Sequence, residues 1–195
     1  KTFLVIIFMD KNFFKKIRIL DGGMGQELLA RGLSPKGTLW SAKALLEEKS
    51  QSLVENIHED FVKAGAEVIV TNTFTTRRVR LKENNLEDKF EILNKNAGKI
   101  AKKIKDKYPQ ILIAGGLPPQ NTTYSCDTRD EIEIFNNFKD QAKILDPYVD
   151  FFYLDVLSSI REISIAINSI KKFNKPFLIG AHISEGVTLP SGEKL

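Results

Sequence analysis

The chain has little sulfur and no apolar run long enough to cross a bilayer. Cys126 is the only cysteine among 195 residues, which excludes an internal disulfide framework. A single cysteine suits a reducing compartment, so we expect a cytoplasmic protein. The apolar run Phe3–Met9 is too short to span a membrane, and no small-residue cleavage site follows it. We therefore expect no membrane association.

The sequence also lacks the glycine patterns that hold phosphates. Ile19–Gly32 reads ILDGGMGQELLARG, in which Gly23 and Gly25 begin a G-x-G-x-x-G motif that fails at Leu28. No Gly-Lys-Ser/Thr follows, so the segment is not a P-loop. Two interpretations stay open on this stretch alone. It is a tight turn without chemistry, or it places Asp21 in a pocket that a small ligand approaches along the glycine backbone.

Basic residues do not cluster on this chain. Its 29 lysines and arginines against 25 acids give a net charge of +4. Stretches such as KKIKDK, Lys102–Lys107, alternate with apolar residues and are typical of solvated helix faces. We expect no nucleic-acid partner.

Short apolar runs alternate with helical periodicity along the chain. The predicted strands are nearly continuous in apolar residues, as in buried parallel sheets: Ile17–Leu20, Glu67–Phe74, Ile111–Gly116, Phe151–Asp155 and Pro176–Ile183. Four predicted helices lie between them, marked by Leu53/Ile57/Phe61, Leu93/Ala97/Ile100/Ile104, Phe135/Phe138/Ala142/Leu145 and Ile160/Ile163/Ile167/Ile170. This alternation predicts βαβ units, in either a doubly wound sheet or a (β/α)8 barrel.

Both architectures place functional residues at the carboxyl ends of the strands. The residues at those positions are Asp21, Thr71–Phe74, Gly115, Gly116, Asp155 and His182.

Four sequence blocks bear on the choice between a doubly wound sheet and a (β/α)8 barrel. DGGMGQELLARG, LWSAKALLEE, VENIHEDFVKAGAEVIVTNTF and AGGLPPQNTTY follow one another in this order. Together they resemble the homocysteine S-methyltransferase family, zinc-dependent enzymes of methionine biosynthesis that methylate homocysteine, and the resemblance runs from about Ile19 to Leu195. It implies a (β/α)8 barrel of which about the first five strands lie in this chain. Residues 13–195 would form that barrel domain, incomplete at its C-terminus, and residues 1–12 an extension outside it.

The resemblance also implies a substrate site. Asp21 corresponds to the acid that lines the family's homocysteine site, and Gly22 could offer its amide to the substrate carboxylate. Asn72 and Thr73 are the polar residues of the family's second-strand motif, although both could also be ordinary strand-end residues. Asp155 stands where the family usually carries the Glu of a Glu-Thr pair that binds the substrate ammonium. Here the pair is Asp155-Val156, which keeps the charge and shortens the reach, so a solvated carboxylate is the alternative.

Zinc is the expected cofactor by resemblance, but the family's cysteine ligands are missing. The family takes them from a Gly-x-Asn-Cys segment and a Gly-Gly-Cys-Cys pair, and neither occurs here. We expect them beyond Leu195, in a longer polypeptide. Cys126 matches no family ligand. His58 is expected on a helix surface, and His182, at a strand end, has a better chance of lining the pocket.

The expected function is therefore transfer of a methyl group from a sulfonium or betaine-type donor to the zinc-activated thiol of homocysteine, giving methionine. The expected partners are homocysteine and a small methyl donor, and an oligomer is possible. This chain alone is expected to be an inactive part. The alternative is a non-enzymatic homocysteine- or amino-acid-binding protein with a degenerate barrel that lacks zinc. A doubly wound nucleotide-binding protein is a third possibility, which the missing glycine patterns weaken.

Overall fold

The computed structural model describes residues 12–34 and 37–194, which form an α/β fold. Its helices are α1 (Met24–Ala30), α2 (Glu48–Lys63), α3 (Arg78–Glu83), α4 (Phe90–Lys107), α5 (Glu131–Leu145) and α6 (Ile160–Ile170). Its strands are β1 (Val68–Val70), β2 (Leu112–Leu117), β3 (Phe151–Leu157) and β4 (Phe177–Ala181). Short 3-10 segments lie at Phe13–Lys15, Gly37–Leu45, Glu87–Lys89, Asp146–Tyr148 and Lys171–Phe173.

The four strands form one parallel sheet in chain order, β1-β2-β3-β4. Each strand pairs with the next one along the chain, so the crossovers all progress in one direction. A doubly wound sheet would reverse direction at a switch point, and these strands contain none. Closure of the sheet into a barrel needs further strands and stays a prediction.

The prediction of a strand at Ile17–Leu20 is wrong in extent. Only Leu20 forms a bridge there, parallel to Val68 on the free edge of β1. Ile17 and Ile19 are 95% and 56% exposed, so neither side chain belongs to the core of the described residues. The segment nevertheless occupies the fifth position in the sheet and delivers Asp21 to its carboxyl edge.

β1, β2 and β3 are largely buried on both faces, as their apolar runs predict. The prediction of a buried strand at Pro176–Ile183 is wrong for β4, where Phe177 and Ile179 are 37% and 45% exposed because β4 lies at the edge of the described sheet. One face packs under helices, where Ile69, Ile113, Phe152 and Leu154 meet residues of α4, α5 and α6. The opposite face carries a smaller apolar cluster. It contains alternate strand residues, Val68, Leu112, Ala114 and Phe151, and Phe13 from the 3-10 segment Phe13–Lys15 packs against them. Tyr153 packs against this second cluster, which also contains Phe151. The two residues are two positions apart on β3 and therefore lie on the same face of the sheet, opposite the helices of the first cluster.

All four predicted helices are present, as α2, α4, α5 and α6. Gly65 ends the first of them, α2. Gly65 has φ +110°, and its amide donates to Val62 O while the amide of Ala66 donates to Phe61 O, both at 3.0 Å. This Schellman ending turns the chain directly into β1 because glycine adopts the left-handed conformation without steric cost.

Residues 1–11, with the apolar run Phe3–Met9 and most of the predicted extension, lie outside the described residues. Within residues 12–34 and 37–194, every helix is too short or too polar to cross a membrane.

Candidate functional site

A cavity of about 710 Å³ opens at the carboxyl edge of the sheet. Its walls come from the start of α1, the Gly37–Leu45 segment, the residues after β1, the loop after β2 and the end of β3. Four of the five site residues expected from the sequence line it: Asp21, Gly22, Asn72 and Asp155. The strands therefore bring together residues that are up to 134 positions apart in the chain (155 − 21).

Asp21 is held by the edge of the sheet. Its own amide donates to Val68 O at 2.9 Å, and its Oδ2 accepts the amide of Val70 at 2.9 Å. The side chain is only 4% exposed. These two hydrogen bonds hold both the backbone and the carboxylate of Asp21 in place beside the cavity.

Asp155 reaches the cavity through an irregularity in β3. Leu154 pairs with Ile179 and Leu157 with Ala181, so three steps along β3 match two along β4. Val156 inside this bulge has φ +61°, a strained conformation for a β-branched residue. Bulges that re-aim a side chain are common beside functional sites.

Tyr153 and Asp155 form a hydrogen-bonded pair on the cavity wall. Burial raises the pKa of the Asp155 carboxyl, the charge of Asp21 raises it further, and the hydroxyl of Tyr153 lowers it. Burial, followed by the charge of Asp155, raises the pKa of Tyr153 to about 12. Tyr153 therefore stays protonated and donates to the carboxylate. Sequence reasoning missed Tyr153, although its spacing of two from Asp155 on a strand was a usable signal.

The TNTF segment divides its polar residues between the cavity and the core. Asn72 lines the cavity, and its Nδ2 donates to Ser41 O at 3.1 Å. Thr73 does not line it: the side chain is fully buried and its hydroxyl donates to Gly116 O at 2.6 Å. This hydrogen bond connects the segment after β1 to β2, so Thr73 is left out of the proposed ligand contacts.

Gly22 lies at the turn where Asp21 leads into α1. An added Cβ would stand 2.8 Å from Cε1 of Phe61 on α2, so the turn has no room for a side chain. No acceptor within the described residues takes the amide hydrogen of Gly22. Gly22 is exposed and lines the cavity, and its role in binding a ligand stays a prediction.

Aromatic residues cover much of the cavity wall: Trp40, Phe74, Tyr124 and Tyr153. Trp40 sits at the kink of the Gly37–Leu45 segment with φ +42°, a strained conformation that holds its indole against Gly25. His182 is not part of the wall, but its ring packs on Tyr124 at 4.6 Å between centroids. No sequence signal distinguished Trp40 or Tyr124 as wall residues.

The prediction that His58 lies on a helix surface is wrong. Its side chain is fully buried, and Nδ1 lies 3.7 Å from Oδ2 of Asp21. Neither ring nitrogen has a hydrogen-bond partner among the described residues. The apolar stripe of α2 indicates only one buried face, whereas α2 packs against α1, α4, β1 and the Gly37–Leu45 segment.

The residues of this part of the chain do not fit a zinc site. Among the described residues, no group of three or more His, Cys, Asp and Glu side chains could hold a metal ion. Cys126 is exposed on the loop after β2. The cavity wall contains two acids, Asp21 and Asp155, and among the described residues that line it there is no cysteine or histidine.

Sequence similarity relates this chain to one family of known proteins. The family model for homocysteine S-methyltransferase matches residues 18–195. The chain is similar to homocysteine S-methyltransferase of Escherichia coli K12, with 28% identity over 75% of this chain and 52% of that protein. It is also similar to S-methylmethionine–homocysteine S-methyltransferase BHMT2 of Rattus norvegicus, with 30% identity over 82% of this chain and 41% of the relative. The chain thus spans about half the length of the curated relatives it matches.

Solved structures agree on the fold. The metallated form of the homocysteine methyltransferase MmuM from Escherichia coli superimposes with a TM-score of 0.81 at 23% identity, over 92% of this chain and 68% of that one. The apo form of the same enzyme gives a TM-score of 0.68. The match of the family model over most of the chain, on a fold shared with a solved family enzyme, shows that this chain belongs to the homocysteine S-methyltransferase family.

Proposed function

We propose that the polypeptide containing this chain transfers a methyl group from a positively charged sulfonium or betaine-type donor to the sulfur of homocysteine, giving methionine. The observation that carries the proposal is the composition of one cavity wall, which combines two carboxylates with four aromatic rings. Carboxylates attract ammonium groups, and aromatic faces attract methylated cations through the ring quadrupole.

Six of the wall residues would take part in binding. Asp21 and Asp155 would bind the ammonium of homocysteine, with Asp155 aligned by the hydroxyl of Tyr153. The free amide of Gly22 would donate to the substrate carboxylate. Trp40 and Tyr124, both partly exposed on the wall, would contact the methylated centre of the donor. Holding both reactants in one cavity supplies the proximity that such a transfer needs.

The reaction balances without a redox partner. A new bond forms between the homocysteine sulfur and the methyl carbon while the bond from that carbon to the donor sulfur or nitrogen breaks. The electron pair of the broken bond returns to the donor atom, which loses its positive charge. The thiol proton leaves to solvent.

Zinc would lower the pKa of the homocysteine thiol when bound. The described residues do not supply a zinc site, and the cysteine segments that the resemblance implies do not occur in this chain. No step proposed here depends on that ion. We further propose that this chain alone, without those ligands, does not catalyse the transfer.

The assignment of the two acids is tested by Asp21→Asn and Asp155→Asn in the complete native polypeptide. Each substitution keeps the shape of the side chain and removes its charge, so we expect kcat/KM for homocysteine to fall about 10- to 100-fold. The measurement is methionine formation with S-methylmethionine or betaine as donor. Asp106→Asn, at an exposed position on α4, is the matched control and should keep the wild-type value. Wild-type kinetics in both cavity variants would contradict the assignment.

A non-enzymatic amino-acid-binding protein is the second candidate function. Two observations favour it: the shorter Asp155-Val156 pair and the lack of a metal-binding group among the described residues. The intact mass and zinc content of the native gene product distinguish the two functions. A mass well above 22.1 kDa with about one zinc per chain would support the methyltransferase. A mass near that value without zinc would favour ligand binding alone.

A further inference from the structure

Arg77, in the segment after β1, is a buried cation on the wall of the same cavity. The residue is 1% exposed and is among the largest side chains that are completely buried. It lines the cavity together with Thr123, whose Oγ1 accepts a hydrogen bond from Nη2 at 3.0 Å. Its guanidinium carbon lies 5.3 Å from the centre of the Phe74 ring.

Among the described residues, the guanidinium of Arg77 has no carboxylate at ion-pair distance, and the charges of Glu83 and Glu162 act on it only from farther away. Its Nε and Nη1 atoms are buried without a hydrogen-bond acceptor among the described residues. Burial, and then the neighbouring charge of Arg80, lowers the pKa of Arg77 to about 10, so the side chain still carries its charge at neutral pH. A buried, unpaired charge is costly and calls for a compensating group.

The other arginines of this region are already paired, which sets Arg77 apart. Arg78 donates to Asp140 on α5 at 2.9 Å, with its guanidinium over the Phe90 ring. Arg80 also lines the cavity but donates to Glu83 at 2.9 Å.

We infer that Arg77 and Thr123 form an anion subsite that binds the carboxylate of a reactant within the cavity. The inference deepens the proposed function: Asp21 and Asp155 would bind cationic groups and Arg77 a carboxylate, so the cavity would select zwitterions over simple cations. A carboxylate oxygen supplies the acceptor that the guanidinium lacks, in a charge-assisted hydrogen bond. Homocysteine and the methyl donor can each bring that carboxylate.

The test compares ligands that differ only in this carboxylate. The three pairs are betaine with choline, S-methyl-L-methionine with (3-aminopropyl)dimethylsulfonium, and L-homocysteine with 3-aminopropane-1-thiol. Dissociation constants are measured by isothermal titration calorimetry on the full chain. Trp40, the only tryptophan of the chain, lies on the cavity wall and gives a fluorescence readout of the same binding.

In the wild type we expect the carboxylate-bearing member of at least one pair to bind more tightly. Arg77→Gln should weaken that member about 10- to 100-fold and its carboxylate-free partner less than about twofold. Loss confined to the homocysteine pair identifies the acceptor as the source of the carboxylate, and loss confined to the other pairs identifies the donor. Arg78→Gln makes the same change in net charge outside the cavity and should leave all the constants unchanged.

Two further variants keep the test decisive if Arg77→Gln does not fold. Arg77→Lys retains the charge and should keep part of the carboxylate preference. Thr123→Val removes only the hydroxyl that holds Nη2, and should weaken carboxylate binding several-fold in the same pairs. Circular dichroism checks the fold of each variant.

The results separate the inference from the proposed function. Equal carboxylate preference in the wild type and the Arg77 and Thr123 variants would overturn the anion subsite and leave the proposed function standing. Binding of none of the six compounds by the wild-type chain would overturn the anion subsite, and the proposed function would then be judged by the kinetics of the complete polypeptide.

Discussion

Glu162 is a buried acid at the start of α6, directly after the strand that carries Asp155. Its side chain is fully buried, Oε2 accepts the amide of Ser158 at 3.1 Å, and Oε1 has no partner among the described residues. Burial raises the pKa of Glu162 to about 7, from an ordinary value of 4.5. Burial is therefore the main cause of the shifted pKa of Glu162, as it is for Arg77 and Asp155.

The raised pKa of Glu162 predicts a pH dependence of stability. The folded state holds a proton on Glu162 that the unfolded state loses above pH 4.5. This contribution to stability is therefore complete below pH 4.5 and is lost as the pH rises through about 7. Glu162→Gln removes the loss, so the variant should gain about 2 to 3 kcal/mol in free energy of unfolding relative to the wild type between pH 5 and pH 8.

Urea denaturation at both pH values measures this difference. Glu48→Gln, which changes an exposed glutamate in the first turn of α2, is the control and should follow the wild type. Parallel stability curves for Glu162→Gln and the wild type would show that Glu162 is ionised throughout this range.

Two of the described helices, α5 and α6, begin directly after residues whose side chains cap them. Asp130 precedes α5, and its Oδ1 accepts the amides of Ile132 at 2.8 Å and Glu133 at 3.3 Å. Ser159 precedes α6, and its Oγ accepts the amide of Glu162 at 3.1 Å. Both residues satisfy amides that a helix leaves without partners in its first turn. These caps set where the helices start, and with that the lengths of the loops that border the cavity.

Removal of the α5 cap tests this at the scale of one element. Asp130→Ala should lower the free energy of unfolding by about 1 kcal/mol because two helix amides lose their acceptor. Asp130→Asn keeps an acceptor oxygen and should stay close to the wild type. Thermal or urea unfolding of both variants measures the difference, and equal losses in the two would show that the charge of Asp130, not the cap, is responsible.

The whole molecule is joined behind the cavity by a buried polar network. Gln141 on α5 donates through Nε2 to Thr73 O at 3.1 Å and to Asn94 Oδ1 on α4 at 3.0 Å. Its Oε1 accepts Nε2 of Gln120, in the loop after β2, at 3.0 Å. The network therefore ties two helices and two strand ends together and supports Asn72 on the wall.

Gln141→Leu is nearly isosteric and removes the centre of this network. The buried partners on three elements lose hydrogen bonds together, so we expect a loss of about 2 to 4 kcal/mol in the free energy of unfolding. Lys143→Leu, at an exposed position on the same helix, should change stability by less than about 0.5 kcal/mol. If Gln141→Leu lowers the free energy of unfolding no more than Lys143→Leu does, water molecules have taken over the hydrogen bonds of the Gln141 side-chain amide.

Sequence reasoning succeeded where a local pattern is repeated over several residues. The runs Ile111–Gly116 and Phe151–Asp155 indicated parallel strands, and the strand-end rule placed Asp21 and Asp155 on one cavity. It failed for His58, Tyr153 and Arg77, whose roles depend on neighbours distant in the chain. Ile17–Leu20 was apolar enough for a strand but finds only one bridge, because pairing needs a neighbour as well as a pattern.

By itself, the sequence determined the order of strands and helices, the family and the acids at the strand ends. Periodicity is a local property, and a family's motifs are contiguous, so both can be read from the order of residues. Only the tertiary structure decided which side chains are buried without partners and which share the cavity. Burial and proximity arise when distant segments pack, as when α2 carries His58 against Asp21 and the loop after β2 places Thr123 against Arg77.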